Sequence, residues 1–80
     1  MKQPKRNPLL VHFGNKVRDA RIAKNISQET LGYEINLHRT YIGMIERAER
    51  NISFVQAIKI IQYLNLKIED LYDFPLRKKR

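Results

Sequence analysis

Eighty residues suffice for one small domain, whose marginal core leans on tight helix packing or on a second subunit. There is no cysteine, which excludes a disulfide framework and a cysteine-ligated zinc site. The formal net charge of +8 points to a polyanionic partner. No apolar run approaches the roughly 20 residues of a membrane span, and none resembles a signal-peptide core. The expectation is therefore a soluble, cytoplasmic chain with no membrane role.

The charge is concentrated at the ends. Lys2, Lys5, Arg6, Arg77, Lys78, Lys79 and Arg80 leave residues 13–76 with nine basic against eight acidic residues. Two solvated tails would give the same total. The arrangement of the body has to carry the functional argument.

Residues 1–8, with Pro4 and Pro8 among three positive charges, read as a flexible basic arm. Phe13, Val17 and Ala20 recur at helical spacing and predict a first helix from about residue 9 or 10 to Lys24. Asn25-Ile26-Ser27 then offers a stop and a restart. Asn tolerates the left-handed conformation that ends helices, the next apolar residue supplies the contact of a Schellman-type stop, and Ser is a good N-cap. A second helix follows over Gln28–Ile35, with Leu31 and Ile35 on one face. Asn36-Leu37 repeats the stop, and a third helix spans His38–Arg47. After Asn51-Ile52-Ser53, a fourth runs over Phe54–Leu64, with Phe54, Ala57, Ile58, Ile61 and Leu64 as its inward stripe. Ser53 and Gln56 fit a capping box there. Asn65-Leu66 closes it, a short fifth helix covers Ile68–Tyr72, and residues 75–80 form a basic C-terminal tail. The expected fold class is all-α: a five-helix bundle in one domain over residues 9–74.

The third helix has an unusual outer face. With ~100° per residue, a stripe centred on Ile42 and Ile45 leaves Thr40 and Arg47 pointing away, flanked by Arg39, Gly43 and Met44. Such a set suits contact better than solvation. Helices 2 and 3 are short, consecutive and tightly joined, which is the layout of a helix-turn-helix whose second helix enters the major groove.

Phe13, Val17 and Arg21, then Ser27-Gln28-Glu29-Thr30-Leu31, Arg39-Thr40-Tyr41-Ile42, Ile45-Glu46-Arg47 and Ile68-Glu69-Asp70-Leu71 stand in the order of a known pattern. In these residues the chain resembles the XRE/Cro/CI-type helix-turn-helix family, of lambda-repressor-like fold. The segment HRTYIGMIERAERNIS is especially similar to restriction–modification controller proteins. The family often has Ala at Gly32, Gly at Asn36, Ser or Asp at His38 and Gly at Ala48, so the turns around helix 3 depart from its pattern.

Arg39 is the first candidate for base reading, since Arg pairs bidentately with guanine O6 and N7; a phosphate contact or a solvated arginine is the alternative. Thr40 and Met44 can meet base edges or a thymine methyl, or Thr40 can cap helix 3. Gly43 costs the helix about 1 kcal/mol relative to Ala and would let the groove wall approach, unless it is neutral drift. The resemblance places Gln28, at the start of helix 2, on a phosphate. Tyr41, Arg47, Arg50 and Asn51 are further phosphate candidates; Tyr41 could instead pack on helix 2, and Glu49 could pair with Arg50. The resemblance also implies an ion pair between Arg21 and Glu46.

The surplus apolar residues Val55, Ile60, Tyr63, Ile68, Tyr72 and Phe74 are candidates for a homodimer interface. His12 and His38 are the only histidines and no phosphate loop is present, so neither catalysis, a metal nor a cofactor is expected. The resemblance implies a dimeric transcriptional regulator binding a palindromic or pseudo-palindromic duplex, with RNA polymerase as a candidate further partner. The rival is an antitoxin-type or phage-repressor-like regulator acting partly through protein–protein contact.

Overall fold

Each helix start in the computed structural model has an identifiable cap. Asn7 accepts from the Leu9 N–H at 2.8 Å and precedes α1, Pro8–Ala23. Ser27 accepts from the Thr30 N–H at 2.9 Å and opens α2, Gln28–Ile35. His38 opens α3, Arg39–Glu46, through its Nδ1, which accepts from the Thr40 N–H at 3.0 Å. Ser53 accepts from the Gln56 N–H at 3.1 Å and opens α4, Phe54–Leu64. The structure describes residues 6–67 and Glu69; over these it is helical, with four helices and no strand. The fifth helix expected over residues 68–72 falls outside the described residues apart from Glu69, as does the tail.

Pro8 belongs to α1 and not to the arm. Its fixed φ suits the first helical position, where the missing N–H costs nothing.

The helix ends share one device. Asn25, Asn36 and Asn65 adopt left-handed φ values of 61°, 63° and 57°. The following residues Ile26, Leu37 and Leu66 donate their N–H groups back to Arg21, Gly32 and Ile61, and their side chains pack on the core. At the end of α3 the expectation fails. Asn51 is not left-handed; Ala48 is, with φ 60°. The Glu49 N–H closes this stop on the Met44 carbonyl at 2.8 Å.

The core joins Val17 of α1, Leu31 and Ile35 of α2, Ile42 and Ile45 of α3, and Ile60 and Leu64 of α4. Two expectations for α4 are corrected here. Phe54, assigned inward, is 79% exposed, and Ile60, assigned to a dimer interface, is 0% exposed. The inward stripe centres on Ile60 and Leu64, rotated by roughly 75° from the expected one at 100° per residue. Val55 and Tyr63 interrupt the polar stripe of Gln56, Lys59 and Gln62, so periodicity alone did not select the face. Tyr63, another interface candidate, is half-buried against the core and lines a shallow cleft with Glu34, Ile35, Asn36, Lys59 and Gln62. Ile68, Tyr72 and Phe74 lie outside the described residues.

Candidate nucleic-acid interface

The seating of α3 depends on Glu46, whose side chain is only 2% exposed. Arg21 of α1 grips it with two bonds, Nε to Oε2 at 2.7 Å and Nη2 to Oε1 at 3.2 Å. Gln28 of α2 donates from Nε2 to the same Oε1 at 3.0 Å, and Arg21 Nη1 donates to the Ile26 carbonyl at 2.8 Å. One carboxylate thus ties three helices together. A buried charge persists only when it is paired and hydrogen-bonded, and this one is. No buried side-chain nitrogen or oxygen among the described residues lacks a partner.

That tie fixes which face of α3 looks outward. Arg39 is exposed, and its Nη1 lies 3.5 Å from Glu29 on α2. Thr40 is exposed beside it; His38 supplies the cap, so the Thr40 side chain is left for other contacts. Met44 is half-buried. Gly43 differs from its neighbours on this face. It is buried, and a Cβ there would lie 3.0 Å from Arg47 Nη1 and 3.3 Å from Gln28 Oε1. Its missing side chain makes room for two neighbours of the same chain. Gln28 turns its amide onto Glu46, which uses one of its two Nε2 hydrogens, and its backbone stands at the α2 N-terminus.

Around the end of α3 the cationic residues are held by specific partners. The Tyr41 hydroxyl donates to Gln56 Oε1 at 2.6 Å and lies 3.4 Å from the Asn51 carbonyl, so it is directed toward α4. Arg50 stands over the Tyr41 ring, 5.5 Å from its centroid. This leaves Glu49 to other arginines, contrary to its expected pairing with Arg50. Glu49 Oε2 accepts from Arg47 Nε at 3.0 Å and from Arg6 Nη2 at 3.5 Å. The hydrogen bond from Arg47 holds the Glu49 carboxyl below the usual carboxylate range and raises Arg47 in turn. Both are charged at neutral pH.

The sequence pointed to Gln56 only as a capping-box residue. Its N–H does meet Ser53, while its side chain holds Tyr41. Nothing in the spacing signalled that second use. Among the described residues no group of acidic or histidine side chains could hold a metal ion, and no helix is long and apolar enough to cross a membrane.

The outward face of α3, the tight α2–α3 turn and the flanking arginines form a surface suited to duplex DNA. The helix-turn-helix family model matches residues 17–71. Control protein C.BamHI of Bacillus amyloliquefaciens is 48% identical over 69 residues, covering 85% of each chain. The crystal structure of the restriction-modification controller protein C.AhdI from Aeromonas hydrophila superposes with a TM-score of 0.70 at 42% identity, over 78% of this chain and 94% of that one. A Tyr-to-Phe mutant of the controller protein C.Esp1396I gives 0.74 at 29% identity, over 85% and 86%. The chain belongs to the helix-turn-helix family.

Proposed function

We propose that this chain is a sequence-specific double-stranded DNA-binding regulator of transcription, the controller of a restriction–modification system, working as a two-fold homodimer. One observation carries the reading: the buried Arg21–Glu46–Gln28 tie seats α3 with Arg39 and Thr40 exposed and Met44 half-exposed. The likeness to control proteins supplies the biological context.

The mechanism needs no cofactor. Arg47, Arg50 and the α2 N-terminus set the register on phosphates, and Arg39 and Thr40 then read base edges. The nearly balanced charge of residues 13–76 restrains binding to arbitrary DNA, while the basic ends add affinity that falls with salt. RNA polymerase is a further partner of such a regulator at its promoter.

Selection of bound duplexes from a random pool would give the operator, and Arg39→Ala then tests the reading. The substitution should cost roughly 1–3 kcal/mol on the selected site and relax the preference at one base step. Affinity for random duplex should change much less. An equal loss on both duplexes would move Arg39 from the bases to the phosphates.

A further inference from the structure

Glu49 is the one acidic residue between α3 and α4, in a segment that carries Arg47 and Arg50. Its carboxylate oxygen Oε2 lies between two guanidinium groups, Arg47 at 3.0 Å and Arg6 at 3.5 Å. Arg6 comes from the basic arm, 43 positions away in sequence. Exposed ion pairs of this kind contribute little to stability, so the fold does not account for the arrangement. An oxyanion gripped by arginine side chains is, however, how a phosphate is held.

Two further observations set this contact apart from the other helix stops. The backbone of Glu49 is fixed by its N–H bond to the Met44 carbonyl at 2.8 Å, the closing bond of the α3 stop. At the other three stops the same position holds Ile26, Leu37 or Leu66, each packed on the core. Here a carboxylate takes the place of an apolar anchor. The guanidinium it holds lies across Gly43, with Arg47 Nη1 3.0 Å from where a Cβ would stand.

We propose that Glu49 is an intramolecular stand-in for a DNA phosphate: it holds Arg47 and the arm's Arg6 in the free protein and yields them to the duplex on binding. The inference rests on the DNA-binding reading of α3. Every duplex, whatever its sequence, has to displace the carboxylate, and the displaced charge stays close to the phosphate that replaces it. Glu49 thereby lowers affinity for arbitrary DNA and leaves discrimination to the base contacts.

The test compares wild type with Glu49→Gln on a random-sequence duplex over a range of salt concentrations. Glutamine keeps an acceptor for Arg47 and removes the competing charge. Glu49→Gln should bind the random duplex about 3–10-fold more tightly near 0.1 M salt and steepen the log–log salt slope by about 1. Arg6→Gln should then weaken binding more in the Glu49→Gln background than in wild type, because in wild type that arginine is already half neutralised. Unchanged or weaker binding by Glu49→Gln, with an unchanged melting curve, overturns the proposal. So does an equal effect of Arg6→Gln in both backgrounds. If Arg39→Ala behaves as expected on the selected operator while Glu49→Gln does nothing, the phosphate stand-in fails and the DNA reading survives. If Arg39→Ala loses nothing there, the DNA reading of α3 itself fails.

Discussion

Glu46 and Arg21 form the contact on which the rest of the surface depends. Both are largely withdrawn from water, with side chains 2% and 13% exposed. The pair is bidentate, and Gln28 and the Ile26 carbonyl use the remaining hydrogen-bonding capacity nearby. A buried pair of this kind adds little net stability compared with an apolar filling, but breaking it is costly because one charge is stranded. Glu46→Ala should therefore destabilise the fold by ~3–5 kcal/mol. Arg21→Ala should do comparable harm, and the double mutant should lose clearly less than the sum. Equilibrium denaturation of the four proteins measures the coupling. A coupling energy near zero would mean that the two residues act separately. The pairing was legible from family resemblance; the third member, Gln28, was not, since its type and place suit a helix start equally well.

At the level of elements, the helix stops separate what residue type reveals from what it hides. Asn followed by an apolar residue marked the ends of α1, α2 and α4, because Asn is the side chain that most readily accepts a left-handed φ. For α3 the rule put the left-handed residue at Asn51, although the helix ends beside Arg47 as expected. Ala48 carries the left-handed turn there, and alanine announces nothing. Its Cβ makes that conformation cost roughly 1–2 kcal/mol, offset in part by the smaller unfolded-state entropy of Ala compared with Gly and by burial of its methyl. Ala48→Gly should thus raise stability by roughly 0.5–1 kcal/mol, visible as a higher melting temperature with no change in helix content. A lower melting temperature would mean that burial of the Ala48 methyl outweighs the backbone relief. The start of α3 shows the converse. His38 is a weak N-cap by type, yet its Nδ1 accepts the Thr40 N–H at 3.0 Å. Helix α4 was legible in extent and not in rotation. Gln56, Lys59 and Gln62 mark a polar stripe, but apolar Val55 and Tyr63 stand within its arc, so it fixes the phase only loosely. Contacts with both α1 and α2 settle that phase in the folded chain.

For the whole molecule, the rotation of α4 redraws the proposed dimer. Ile60 is spent on the core, while Phe54 at 79% and Val55 at 63% exposure stand on the first turn of the helix. Two large apolar side chains side by side in water suit a contact that buries them, and a marginal core of this size gains from a second subunit. A two-fold arrangement through this turn, continued by the segment after α4, would aim two copies of α3 at one side of a duplex. Half-sites would then lie about 34 Å, one helical turn, apart. Val55→Glu should yield a folded monomer with much weaker operator binding, because the two α3 helices would no longer be linked. Ile60→Glu should instead unfold the chain, since a carboxylate at a fully buried position has no partner. Sedimentation and circular dichroism distinguish the two outcomes. Wild type that sediments as a monomer at tens of micromolar, on the order of typical dimer affinities, and that fills an isolated half-site completely, would refute the two-fold model. A Val55→Glu protein that remains dimeric would place the interface away from the first turn of α4.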